Sequence, residues 1–186
     1  SYTAPPKNFG NRWLLGCIFM PFFVPQISFL LGMQISLSRF GLDGSWLALI
    51  WVHMIFILPY TWLVVIPARQ SLDSRLDHVA ATLGASAWQR FRRIHLPLMA
   101  YPLGTALFIG ISVSVALYLP TMFVGAGRIN TITVEAVSLA AGGSRGPAGV
   151  AAMLQIAIPV LSFIVINSWL RFRFTGFAGM RSGGLQ

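Results

Sequence analysis

An all-α fold, a polytopic bundle of transmembrane helices, is what this sequence predicts, and three observations predict it. Charge is scarce: 13 Lys and Arg with 4 Asp and Glu make only 9% of 186 residues, against about 25% in ordinary soluble domains. Hydrophobic residues make up 56%, with a mean hydropathy of +0.74. The few charges are spaced so that four stretches contain none, each longer than the roughly 20 residues a helix needs to cross the hydrocarbon core. So few charges could not cover a water-facing surface, which excludes a soluble enzyme. The single cysteine, Cys17, excludes an intramolecular disulfide and any multi-cysteine metal cluster.

The spans follow in order. Between Arg12 and Arg39 lie 26 charge-free residues, between Asp43 and Arg69 25, between Arg93 and Arg128 34, and between Arg145 and Arg171 25. Crossings are expected near 13–37, 46–67, 98–119 and 147–170. None is a signal peptide, because each is too long and the first lacks a cleavage site of small residues. Membrane strands would alternate, and Trp62-Leu63-Val64-Val65-Ile66 does not. Pro21, Pro25, Pro59, Pro102 and Pro159 are expected to interrupt helices. Ala106, Gly110 and Ser114 repeat every four residues, a face suited to close helix packing. The Gly-, Ser-, Thr- and Ala-rich stretch 128–146 is expected to be the one long outward connection.

Basic residues assign the sides. Lys7, Arg12, Arg69, Arg75, Arg90, Arg92, Arg93, Arg171, Arg173 and Arg181 fall on one side, and Arg39, Arg128 and Arg145 on the other. The positive-inside tendency makes the first side cytoplasmic, together with both termini and the 68–97 connection. The chain is expected to cross a membrane several times. The net charge of +9 then reports topology and a lipid bilayer, not a nucleic-acid partner.

The connection 68–97 is more than a linker. Leu72, Leu76, Val79, Ala80 and Leu83 follow helical spacing, Gly84 interrupts, and Trp88, Phe91 and Ile94 continue before Leu96-Pro97. Two short amphipathic helices meeting near Gly84, with the second ending at Leu96-Pro97, are the expectation. An interfacial helix with Arg90, Arg92 and Arg93 at lipid head groups fits the same periodicity.

This segment resembles the cytoplasmic EAA loop of permease subunits of bacterial ATP-binding-cassette (ABC) importers. That pattern is Glu-Ala-Ala, three residues, Gly, nine residues, Ile, one residue, Leu-Pro. Here Ala80, Gly84, Ile94, Leu96 and Pro97 stand at those spacings, while His78 and Val79 replace the Glu and first Ala, with Asp77 adjacent. Two spans follow the loop, as in the family. Phe56-Ile57-Leu58-Pro59-Tyr60 and Leu119-Pro120-Thr121-Met122-Phe123 look like segments of the iron, thiamine and polyamine branch.

The resemblance implies a coupling loop of Asp77, His78, Ala80, Gly84, Ala85, Trp88, Phe91, Ile94, Leu96 and Pro97 that docks on a separate ABC ATPase subunit. Ala80, Ala81, Gly84 and Ala85 would let the loop seat closely, and Trp88 and Phe91 would anchor it. It also implies a second permease half, homodimeric, heterodimeric or fused, and an extracytoplasmic solute-binding protein. With no Met ahead of Ser1-Tyr2-Thr3, residues 1–186 are expected to be the C-terminal part of one permease domain, its last four spans, in a longer and possibly fused chain.

No catalytic chemistry is expected. A phosphate-binding loop needs Gly-x4-Gly-Lys-Ser/Thr, and the sole lysine is Lys7 in Pro5-Pro6-Lys7-Asn8. No His, Cys, Asp and Glu group has metal-ligand spacing, and no nucleophile–base pair is evident, so no cofactor or metal is expected. His53, inside the second span, and Glu135, in the outward connection, are the candidate pathway residues. The bland alternatives are a neutral His53 bonded to a neighbouring helix and a surface ion pair of Glu135 with Arg128 or Arg145. Asp73 and Asp77 have Arg69 and Arg75 within helical reach, and His95 occupies a variable motif position with no expected role. The competing classes are a non-transporting structural or assembly subunit and a fragment of a secondary transporter, the latter expected to carry more intramembrane acids.

Overall fold

The computed structural model describes residues 12–174, and every regular element among them is a helix. Lys7, Arg181 and both termini lie outside the described residues. The first predicted span, 13–37, is two helices, α1 (Arg12–Phe23) and α2 (Gln26–Arg39). Pro25 makes the break, because it brings no N–H to the ladder and pushes the residue before it out of the helical region. Helices of 12 and 14 residues rise about 18 and 21 Å, so neither spans the roughly 30 Å hydrocarbon core alone.

The second span is α3 (Trp46–Gln70). The loop contributes α4 (Ser74–Thr82) and the single turn α5 (Ala87–Arg90). A π turn (Phe91–His95) joins α5 without a break to α6 (Leu96–Ala116). Then follow α7 (Tyr118–Gly125), α8 (Ile132–Ala141) and α9 (Arg145–Phe174). Among the described residues three helices are long and apolar enough to cross a membrane: α3, the 30-residue run Ala87–Ala116, and α9.

Three expectations need correcting. The third span, predicted to 119, stops at Ala116, since the ring of Pro120 would collide with the carbonyl four residues earlier in a continuous helix. Residues 128–146 are not simply a connection: they hold α8, which buries Thr133 and Ala136. And Pro21, Pro59, Pro102 and Pro159 lie within unbroken helices.

The chain forms two compact units, Ser1–Pro59 with Ala116–Ala152 and Tyr60–Val115 with Met153–Gln186. The first has a core of Leu30, Ala48, Val52, Phe56 and Val124, with Phe29, Met33 and Phe123 packed around it. Phe29 meets Phe56 edge-on at 5.8 Å. The turn into α3 is held by Gly44, at φ +64°, whose N–H donates to the Val124 carbonyl at 3.0 Å.

The second unit is built on the small residues of α6. Ala100, Gly104, Ala106 and Gly110 are all buried. A β-carbon on Gly104 would run into Leu170 and come within 3.0 Å of Ile166, both on α9. One turn on, Phe108 packs against Phe163 at 5.2 Å. Away from these contacts α9 is largely uncovered: only 6% of its most apolar stretch is buried. That is the surface expected of a helix solvated by hydrocarbon.

Gly104→Val should therefore destabilise the second unit by about 1–3 kcal/mol through overpacking. Unfolding in detergent–denaturant mixtures measures this, and adding Leu170→Ala should recover part of the loss.

Candidate functional site

The helices of the loop between α3 and α6 are closed at their ends by local hydrogen bonds. Asp73 caps α4, its carboxylate accepting from the Arg75 N–H at 2.9 Å. At the other end the Ala85 N–H donates to the Ala80 carbonyl and the Gly84 N–H to the Ala81 carbonyl, both at 3.0 Å. This pair of bonds is the Schellman closure, and it requires a left-handed residue at the position Gly84 occupies, φ +79°. Space is not the constraint there, since a β-carbon would meet nothing within 4 Å. Ser86 then starts α5 with a reciprocal capping box: the Gln89 N–H donates to Ser86 Oγ at 3.3 Å, and the Ser86 N–H to Gln89 Oε1 at 3.0 Å.

Leu96-Pro97 does not end the helix, contrary to expectation. The Leu96 N–H reaches five residues back, to the Phe91 carbonyl. Widening the ladder in this way moves the carbonyl that the Pro97 ring would strike in a regular helix. The chain thus passes from loop into span as one continuous helix.

One carboxylate gathers the charged groups. Asp77, half-buried on α4, accepts from Arg90 Nη1 through Oδ2 at 3.1 Å, and its Oδ1 lies 3.1 Å from His95 Nε2. His95 therefore has a partner, and Asp77 pairs with neither Arg69 nor Arg75. The hydrogen bond to His95 holds the Asp77 carboxyl below its ordinary value of 3.8, and the Arg90 charge acts in the same direction. Beside the cluster opens a groove of about 590 Å³, lined by Arg69 and by apolar Leu72, Phe91, Leu96, Met99 and Leu103.

The remaining loop residues fall into two groups. Ala80, Ala85, Ile94 and Pro97 are half-buried, whereas His78, Gly84, Trp88, Phe91 and Leu96 are exposed. Trp88 and Phe91 stack on each other, centroids 5.8 Å apart and planes 26° from parallel. An exposed aromatic pair on a capped helix is an arrangement suited to binding a partner, not to bond-making chemistry.

The candidate pathway residues belong to the other unit. His53 Nε2 lies 3.0 Å from Thr121 Oγ1, and that hydroxyl donates its one proton to the Leu117 carbonyl at 2.8 Å. The hydroxyl can then only accept from His53, which assigns a proton to Nε2. Glu135, in the first turn of α8, is exposed and makes no ion pair among the described residues, so the expected partnership with Arg128 or Arg145 is not formed. Nearby, the Thr131 hydroxyl is buried without a partner among the described residues.

Sequence reasoning missed Ser86, Gln89, Arg90 and His95. Ser-x-x-Gln at 86–89 is a readable capping box. The Arg90 and His95 contacts with Asp77, 13 and 18 residues away, have no local signature.

Two outcomes are expected. Since the folded Asp77 pKa is lowered, its contribution to holding the loop is fully present above the ordinary value and disappears as the pH falls through the lowered one. Infrared titration should find a carboxyl midpoint below 3.8, moved upward in Arg90→Ala with His95→Ala. Thr121→Val should cost about 1 kcal/mol in steric-trapping measurements of helix association.

The chain matches, over residues 1–175, the family described as binding-protein-dependent transport system inner membrane component. It is 37% identical over 158 residues to the inner membrane ABC transporter permease protein YnjC of Escherichia coli K12, covering 83% of this chain and 31% of YnjC. It is 26% identical over 165 residues to the putative 2-aminoethylphosphonate transport system permease protein PhnV of Salmonella choleraesuis, covering 86% of this chain and 62% of PhnV. Identity to the molybdenum transport system permease protein ModB of Haemophilus influenzae is 25% over 185 residues, 90% of this chain and 80% of ModB. The chain thus spans under a third of YnjC and under two thirds of PhnV. No solved structure matches it significantly. An all-helical chain with membrane-length apolar helices and this capped loop, matched over nearly its whole length, belongs to the family of inner-membrane components of binding-protein-dependent transport systems.

Proposed function

We propose that the protein carrying this chain is the transmembrane permease subunit of an ABC importer, forming part of a solute pathway across a bacterial inner membrane. The observation that carries the reading is the loop Asp77–Pro97: a capped helix, a glycine turn with a Schellman closure, and an exposed aromatic pair running directly into a membrane-length helix. A separate ATPase docks on this loop, and its closure on ATP rocks the bundle between inward- and outward-open states. Small Ala80 and Ala85 let the loop seat closely, and Trp88 with Phe91 anchor it. Hydrolysis belongs to the partner, since the only lysine here is Lys7.

Five of the ten basic residues on the proposed cytoplasmic side, Arg69, Arg75, Arg90, Arg92 and Arg93, fall in or beside this loop, which supports a cytosolic loop and cytoplasmic termini. A second permease half, identical, different or fused, and an extracytoplasmic solute-binding protein complete the importer. Permeases similar to this chain carry 2-aminoethylphosphonate, molybdenum and spermidine/putrescine in their names. Such different cargo on related frameworks supports specificity residing mainly in the binding protein. His53 and Glu135 are the residues of this chain assigned to the pathway, His53 fixed by Thr121 and Glu135 open to solvent.

Gly84→Trp tests the reading through co-purification of the full-length protein with its ABC ATPase. A left-handed backbone costs a non-glycine residue about 1 kcal/mol or more, and the indole adds bulk at the docking face. The ATPase should detach or uncouple while the bundle still inserts, with Gly84→Ala intermediate. Unchanged association together with unchanged ATP-driven transport would sink the assignment.

A further inference from the structure

We propose that Asp77 is a positioning residue that locks the loop helix α4 to the head of α6, so that loop and span move as one piece. Its part in transport rests on the loop being the ATPase contact, but the lock itself is argued from geometry alone.

The carboxylate bridges the π turn end to end. Arg90 immediately precedes that turn and His95 is its last residue, and each takes a different oxygen of Asp77, both at 3.1 Å. These are the two ion pairs found among the described residues. The covalent connection from α4 to α5 is the turn at Gly84, which is exposed and has nothing packed within 4 Å of where a β-carbon would stand. Backbone caps close the ends of the two helices on either side of that turn, but they do not set the angle between the helices.

The second irregular point is the π turn, where the regular ladder of the helix is interrupted. A push on α4 would be absorbed at the glycine turn and again at the π turn before reaching α6. A side chain tied to both edges of the π turn bypasses both points. α5 is only four residues long and continues through the π turn into α6 without a break, so whatever holds Arg90 and His95 holds α6. The acid of the family pattern is missing at His78, which is exposed; Asp77, one residue earlier, turns inward instead.

The test uses the full-length protein in nanodiscs, with Cys17→Ser and spin labels at Val79 on α4 and Leu107 on α6, both exposed positions in the same unit. Pulsed electron–electron resonance should give one narrow distance. Asp77→Ala should broaden it, Arg90→Ala with His95→Ala should broaden it equally, and the triple variant should add nothing further, since all three remove the same link. In the complex with its ATPase, vanadate trapping should leave the narrow distance unchanged in the parent protein. In Asp77→Ala this distance should shift on trapping.

A narrow distance in Asp77→Ala overturns the proposal, as does additive broadening in the triple variant. Loss of the ATPase from Asp77→Ala with the distance intact would make Asp77 a contact for the partner and overturn the internal lock. If the parent protein captures no ATPase, the functional reading fails, while the distances in the protein alone still decide the lock.

Discussion

Inside hydrocarbon no water is available to a backbone N–H or carbonyl, so each must be satisfied by the chain itself. That constraint makes the chain helical and makes proline the residue that decides where helices change course. Pro25 splits the first apolar stretch into α1 and α2, Pro120 separates α6 from α7, and Pro97 is accommodated by the π turn ahead of it. Pro59, Pro102 and Pro159 pass without a break. Proline therefore does not act by its presence alone. What differs is whether the surrounding helix can bend around the lost hydrogen bond, a property of neighbouring packing.

Outside the hydrocarbon the loop obeys other rules. Water competes for every polar group, so its short helices need local closure: Asp73 at one end of α4, the Gly84 turn at the other, and the Ser86–Gln89 box on α5. Helices of nine and four residues are well below the length that holds in isolation. Caps and the Asp77 contacts supply what length cannot. Several apolar side chains of the loop, Leu83 and Trp88 above all, are correspondingly left outward.

The class of fold and the long apolar helices were legible because they depend on composition and on the spacing of charges. Gly84 was legible too, since the pattern of Leu76, Val79 and Leu83 stops there and only glycine is relaxed in the left-handed region. The break at Pro25 was half-legible: proline marks a candidate site but not whether the helix tolerates it. α8 was read as a connection because Gly, Ser and Thr around it masked a ten-residue helical core. The pairing of Asp77 with His95 could not be read at all, because it depends on how the chain folds back at Gly84. The same holds for His53 and Thr121, 68 residues apart.

The π turn has a consequence for angular phase. Each α-helical residue advances about 100° around the axis, and a π turn holds one residue more than the regular helix it replaces. Trp88 before the turn and Gly104 after it are therefore offset by about one residue from where a continuous α-helix would put them. Removing one residue from Arg92–His95 would take out that extra residue and swing the loop face by about 100° relative to the stripe that meets Leu170. The aromatic pair and the packing seam are set in register by the extra residue of this turn, so the length of the junction specifies as much as its composition does.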